Sequence, residues 1–323
     1  MNQKLQNILK ILEQNQNLSA EEKGSALKAL KDADKEFEIT AFKLERTEKV
    51  KKTTAILLEE TIEELEQKRK AVEEQTKIIH AENDRKSKEL EDARQLQLAM
   101  LPRELPRVAN LDIAVYMRTA TEVGGDYYDF HVQPDGTLTV LVGDATGHGM
   151  MSGMMVSIMK SFFISNRSNL ELKQFFENCN NSIKDMQLGR LMMACMGVQI
   201  TSEKVIATNA GMPSLLYFRN KSKKAGEFVS HNFPLGAMKE TKYLLKEINY
   251  EKGDTLLLMS DGFAELKNEK NEQYGYERVK KEFMSVAQKS PNEIVEHLNA
   301  SASEWIIGVE PDDDVTFVVI KVK

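Results

Sequence analysis

The sequence predicts an α+β chain in two parts, a long charged helix followed by a layered sheet domain with helices packed outside it. Three observations carry this. Of 17 glycines only Gly24 precedes Gly124, and the first of seven prolines is Pro102, so residues 25–101 contain neither breaker. Apolar residues in that stretch recur at seven-residue spacing. Beyond Pro102, short apolar runs bounded by turn residues replace the heptads. The helical patterns there come in two pairs rather than alternating with strands, which argues against a doubly wound parallel sheet.

Residues 1–35 read as a short N-terminal helical element. Leu5, Ile8, Leu9 and Leu12 make an apolar stripe, and Ser19 to Glu22 has the form of a capping box that restarts a helix. Residues 36–100 read as a coiled-coil dimerisation or linker helix. Between Glu36 and Ala99, 29 of 64 residues are charged, and residues 25–101 hold only two aromatics, Phe37 and Phe42, too few for a core of their own. Leu58, Leu65, Val72, Ile79, Ala93 and Met100 fall on one heptad line, interrupted by Lys86. Ala55, Ile62 and Leu90 fall on a second, which Arg69, Thr76, Asn83 and Gln97 share. One helix over this stretch spans roughly 100 Å. A parallel dimer is favoured over a helix folded back on its own domain. Such a coil serves either as a passive spacer or as a lever whose register regulates the sheet domain.

Residues 101–323 form the sheet domain. Strands are expected at 111–117, 137–142, 191–200, 205–209, 215–218, 255–259 and 315–322, and helices at 151–165, 172–186, 276–288 and 292–306. The chain carries 44 Lys+Arg against 50 Asp+Glu, a net charge of −6, which argues against a general nucleic-acid binder. Two cysteines, Cys179 and Cys195, exclude a disulfide framework and read as small buried residues. The N-terminus lacks the apolar core of a secretory signal, and no run approaches the ~18–20 apolar residues needed to cross a bilayer. A cytoplasmic protein without membrane insertion is expected.

The chemistry lies in where aspartates fall. Thr-Val-Leu-Val-Gly-Asp144 and Thr-Leu-Leu-Leu-Met-Ser-Asp261 are apolar strands that each deliver an Asp at the C-terminal end. Asp126 lies in Val-Gly-Gly-Asp-Tyr-Tyr-Asp129, and Asp312-Asp313-Asp314 precedes the last strand. Singly, each is an ordinary turn former. Jointly, carboxylates at the mouths of core strands repel unless a cation neutralises them, and no Arg or Lys adjoins Asp126, Asp144 or Asp261 in sequence. Hard divalent cations with oxygen ligands, Mg²⁺ or Mn²⁺, are the natural partners, and two such ions would activate a water and clamp a phosphoryl oxygen. The glycines of Gly143-Asp-Ala-Thr-Gly147-His-Gly149 let backbone approach a ligand, so a carbonyl after Asp144 could coordinate metal. A P-loop fails for want of Gly-Lys-Ser/Thr, and an EF-hand for want of its ligand spacing.

These residues resemble the SpoIIE/RsbU branch of the bacterial metal-dependent serine/threonine phosphatases, the PPM superfamily. The likeness begins at Ala93-Arg-Gln-Leu-Gln-Leu-Ala-Met-Leu-Pro102. It continues through Val123 to Phe130, Val142 to Gly149, Asn209 to Pro213, Phe233 to Gly236, Ser260 to Glu265 and Asp313 to Thr316, over roughly 220 residues. The resemblance implies an α-β-β-α sandwich with a binuclear Mn²⁺ or Mg²⁺ site. It implies that Asp144 bridges two ions and that the Ala145 carbonyl completes the second ion's shell. Asp261 and Asp313 (in preference to Asp314) would hold the first ion, and Asp126 would be a further ligand or a supporting acid. The expected activity is hydrolysis of phosphoserine on a small partner-switching protein, typically a STAS-type anti-sigma-factor antagonist, by a homodimer joined through the coil. The segment after Gly149 lacks the proline common there in the family.

His148 is either a general acid for the leaving serine oxygen or simply a tight-turn residue. His80, His131, His231 and His297 form no cluster. Met150–Met159 and Met192–Met196 read as pliable core. Two rival readings are a catalytically silent signalling scaffold with the same fold and a metal-dependent hydrolase of small phosphoesters. The retained carboxylates weigh against the first; for the second, no nucleotide-binding loop is recognisable.

Overall fold

A computed structural model describes residues 3–230 and 232–323; Met1 and Asn2, at the start of the 1–35 element, and His231 lie outside the described residues. Contacts divide the chain into two units, Met1–Asn83 and Asp84–Lys323. The first unit holds helix α1 (Gln3–Gln14) and most of α2 (Ala20–Met100). The box at the start of α2 forms as the sequence predicts: the Ser19 N–H and hydroxyl donate to Glu22 Oε2, and the Glu22 N–H donates to Ser19 Oγ. Gly24 does not interrupt α2, so the expected short element and the long helix share one continuous run. Leu5, Leu9 and Leu12 are half-buried, as are Ala26, Leu27 and Leu30, whereas every residue from Lys35 to Glu89 is exposed. Among the described residues no helix is long and apolar enough to cross a membrane.

The second unit begins with the last turns of α2 and continues as two five-stranded sheets between two pairs of helices. In chain order its elements are β1 (Leu111–Arg118), β2 (Asp126–Val132), β3 (Leu138–Ala145), α3 (Met150–Asn166), α4 (Leu172–Asp185), β4 (Met193–Ile200), β5 (Lys204–Ala210), β6 (Leu215–Arg219), β7 (Lys224–Phe228), β8 (Lys246–Asn249), β9 (Thr255–Met259), α5 (Gly262–Glu265), α6 (Tyr276–Val286), α7 (Pro291–Trp305) and β10 (Val315–Val322). One sheet has the order β1-β10-β9-β6-β7 and the other β2-β3-β4-β5-β8, all pairs antiparallel. This is the α-β-β-α sandwich.

Three apolar layers arise from the period-two alternation of the strands. Val140, Val142, Val198, Leu256, Leu258, Val318 and Ile320 fill the space between the sheets. Leu141, Met193 and Cys195 face outward to Met155, Met159, Phe163 and Phe176 of α3 and α4. Leu257, Phe317 and Val319 face Val279, Phe283, Ile294 and Leu298 of α6 and α7. The capping box at Ser290 and Glu293 opens α7.

Gly197 sets how closely α4 lies on its sheet, since a Cβ there would stand 2.6 Å from Phe176 and 2.7 Å from Leu172, both fully buried. Gly197→Ala is therefore expected to destabilise the second unit by about 1–3 kcal/mol through overpacking. Urea unfolding followed by fluorescence of the single tryptophan, Trp305, measures this.

Candidate active site

At one end of the sandwich the layer between the sheets changes from apolar to polar without changing its alternation. Asp126 follows the parity of Tyr128 and Phe130 on β2, and Asp144 that of Val140 and Val142 on β3, so both turn toward the opposite sheet. They stand directly opposite each other in the antiparallel register. From the other sheet, Ser260 continues the parity of Leu256 and Leu258, and Asp314 and Thr316 that of Val318 and Ile320.

Hydrogen bonds join the two sides. The Ser260 hydroxyl donates to Asp126 Oδ2 at 2.9 Å and accepts from the Thr316 N–H at 3.0 Å. Asp314 is buried, and its carboxylate accepts backbone N–H groups from Ala120 (2.7 Å), Gly125 (2.5 Å) and Asp126 (3.2 Å). Gly124 and Gly125 make this approach possible. A Cβ on Gly124 would stand 2.3 Å from Asp314 Oδ2. One on Gly125 would stand 2.8 Å from the Ala145 carbonyl oxygen and 2.9 Å from Asp144 Oδ1. The Ala145 carbonyl and the Asp144 carboxylate therefore lie side by side against Gly125. Gly147 and Gly149 hold φ of 88° and 74°, the left-handed region the turn after Ala145 requires.

The four expected carboxylates share one electrostatic environment. Burial, then Asp144 and Asp314, raise Asp126 well above the usual carboxylate range, and Thr316 and Ser260 offset only part of the rise. Burial, then Asp261, Asp313 and Asp314, push Asp144 up to about 8. Asp261 is raised by burial and then by Glu265; Asp313 is raised by burial, offset in part by the Asp314 N–H, with Asp261 and Asp314 adding to the rise. Among the described residues no cationic side chain offsets any of the four. Asp129 differs: it is buried on the other face of β2 with Lys160 Nζ at 2.7 Å.

These are the properties of a site for hard cations. All donors are oxygen, and Asp126 Oδ1 is buried without a hydrogen-bond partner. The Thr316 hydroxyl beside it is close enough to favour the charged form but likewise has no hydrogen bond. Among the described residues, no three Asp, Glu, His or Cys side chains stand close enough together to hold one ion. Asp126, Asp144, Asp261, Asp313 and the Ala145 carbonyl fit such ions by chemistry and by shared repulsion rather than by a preformed cage. The two adjacent aspartates differ in access to solvent: Asp313 is partly desolvated by its neighbours yet reaches solvent, and its Oδ1 accepts the Asp314 N–H, whereas the Asp314 carboxylate is buried and spent on backbone. His148 is exposed in the turn, outside the interactions described at the four carboxylates.

Sequence reasoning weighed Asp314 only as an alternative ligand to Asp313 and met Ser260 and Gln97 only within family-like motifs, so it missed the supporting role of all three. Gln97, in the last turn but one of α2, is buried and pairs with Gly124 through both ends of its amide. Nε2 donates to the Gly124 carbonyl at 2.7 Å, and Oε1 accepts the Gly124 N–H at 3.1 Å. Its one signal in the sequence was a polar residue on a partly apolar heptad line. Gln97→Leu takes the partner from the Gly124 N–H, while the Gly124 carbonyl keeps the Ser152 hydroxyl at 3.3 Å, and amide exchange at Gly124 is expected to accelerate about tenfold or more, for about 1–3 kcal/mol lost. Hydrogen-exchange mass spectrometry across residues 119–130 checks this.

Known proteins share this architecture. The sequence profile of the family described as Stage II sporulation protein E (SpoIIE) matches residues 134–323. Phosphoserine phosphatase RsbU of Bacillus subtilis (strain 168) is 23% identical over 240 residues, covering 73% of this chain and 70% of RsbU. The SiaA PP2C domain of Pseudomonas aeruginosa superposes with a TM-score of 0.67 at 20% identity, over 75% of this chain and 98% of that domain. RsbX, solved in complex with magnesium, superposes with a TM-score of 0.53 at 16% identity, over 68% of this chain and 99% of RsbX. The fold is that of a PP2C phosphatase domain, and the chain belongs to the SpoIIE family.

Proposed function

We propose that this chain is a metal-dependent protein-serine/threonine phosphatase, acting on phosphoserine of a small partner-switching protein of the STAS type. The observation that carries the reading is the set Asp126, Asp144, Asp261 and Asp313, gathered at one end of the sandwich with no cationic side chain among the described residues to balance it. Two Mn²⁺ or Mg²⁺ ions, when bound, would supply an activated water and the positive charge that stabilises a transferring phosphoryl group. Asp144 and the Ala145 carbonyl, side by side against Gly125, would hold both ions from β3. Asp261 and Asp313 would complete the site from the other sheet, with Asp126 behind Asp144. Asp314 and Ser260 orient this set by fixing Gly125 and Asp126. The reading gives His148 no necessary step.

The division of labour proposed is a helical element at 1–35, a dimerising helix at 36–100 and a phosphatase domain at 101–323. Leu58, Leu65, Val72 and Ile79 are each more than half exposed, an apolar line suited to a second copy of the same helix. The last turns of α2 serve the catalytic domain as well, because Gln97 holds Gly124, two residues before Asp126.

Asp144→Asn is expected to abolish Mn²⁺-dependent phosphate release from a phosphoserine protein, a loss of at least ~10³-fold in kcat. It should also weaken Mn²⁺ binding measured by calorimetry. Full activity in that variant would overturn the mechanism, and Mn²⁺ binding without turnover in the parent protein would favour a silent scaffold. Light scattering on the full chain should give a dimer; a monomer at micromolar concentration would remove the coiled-coil reading.

A further inference from the structure

Beside the carboxylate site the second unit carries a cleft of opposite character. It has a volume of about 760 Å³ and lies between the end of α2 and β1, which is an edge strand. Arg94, Arg103 and Arg118 line it together with Tyr116 and Tyr128, and no Asp or Glu does. Three guanidinium groups thus line one cleft in a chain of net charge −6, with the glutamates that pair two of them, Glu91 and Glu310, standing outside its lining.

The arginines are weakly engaged. Arg94 reaches Glu91 at 3.4 Å and its Nε is buried without a partner. Arg103 is exposed, and Arg118 meets Glu310 at 2.6 Å, a carboxylate that is itself 88% exposed. An exposed pair of this kind contributes little and exchanges readily for another carboxylate.

Position ties the cleft to the mouth of the candidate active site. Arg118 is opposite Val315 in the β1–β10 register, so it lies beside the Asp313–Asp314 turn. Two residues on, the Ala120 N–H donates to Asp314 Oδ1. One end of the cleft, at Arg118, is thus two residues from a backbone group that contacts Asp314.

We infer that this cleft is the docking groove for acidic residues flanking the phosphoserine of the protein substrate, an inference that rests on the phosphatase reading above. Arg94, Arg103 and Arg118 supply charge, Tyr116 and Tyr128 supply flat apolar walls, and Glu310 holds Arg118 in place until a substrate carboxylate replaces it.

The test compares two phosphoserine peptides on the full-length protein with Mn²⁺, one flanked by glutamates and one by glutamines at the same positions. The expected result is a kcat/KM ratio of about fivefold to tenfold in favour of the acidic peptide, carried by KM and shrinking as salt is raised. The double variant R103E/R118E should bring the ratio to one or below, and E310Q should increase it. Anisotropy of a labelled glutamate-rich peptide without phosphoserine reads the groove independently of turnover and should follow the same order. Equal rates for the two peptides in the parent protein, or a ratio untouched by R103E/R118E, would overturn the docking groove. Failure to hydrolyse either peptide or p-nitrophenyl phosphate would overturn the phosphatase reading, and the anisotropy series would then decide the groove alone.

Discussion

The Asp314 carboxylate, buried at one end of the sandwich and bonded to the backbone N–H groups of Ala120, Gly125 and Asp126, holds the working end of the molecule together. Charge-assisted bonds to backbone are short and strong, and a buried carboxylate demands them. They draw the loop before β2 onto the strand entry of β10, which belongs to the other sheet. Every close approach nearby depends on that loop being where it is. Gly124 and Gly125 lack side chains because Asp314, Asp144 and the Ala145 carbonyl occupy the space. Ser260 adds a second link between the sheets by donating its hydroxyl hydrogen bond to Asp126.

A site assembled this way works against the stability of its own domain. Asp126 and Asp144 face each other from paired strands, and Asp261 and Asp313 add to the same field. Burial and mutual repulsion drive the carboxylates toward their protonated forms, so a cation bound there would be coupled to their ionisation and to the stability of the fold. The three apolar layers on either side of and between the sheets offset the cost. Asp129, on the opposite face of β2 and matched with Lys160, shows what a structural buried aspartate looks like in the same strand. The difference between the two lies in their partners, not in their burial.

Helix α2 has two chemical regimes. From Lys35 to Glu89 every side chain is exposed, including an apolar line that no described residue covers. In its last turns the helix becomes part of the catalytic unit and buries Gln97 against Gly124. An amide suits that place because a glycine loop offers a carbonyl and an N–H together, and no apolar side chain could satisfy both. Any change in the helix that moved Gln97 would be felt first at the loop leading into Asp126.

The amino-acid sequence by itself determined the long helix, the layered class and most of the strands, because each is written in local pattern. The expected ends of β9 and β10 coincide with the observed ones, since continuous apolar runs bounded by turns leave little choice. Strands β7 (KAGEF) and β8 (KEIN) went unread because each lies at a sheet edge, where one side needs no apolar partner. β2 went unread because its acids and histidine obscure the alternation. Among the proposed site residues, Asp126, Asp144 and Asp261 were singled out by their strand ends and glycine neighbours, and Asp313 by the family resemblance. What only the tertiary structure decided is which carboxylate is free and which is spent. Asp313 and Asp314 are adjacent and chemically identical, and the three backbone N–H groups that claim Asp314 lie 188, 189 and 194 residues away in the chain. Long-range hydrogen bonding of that kind leaves no local trace, and the partners of Gln97 and Ser260 were hidden for the same reason.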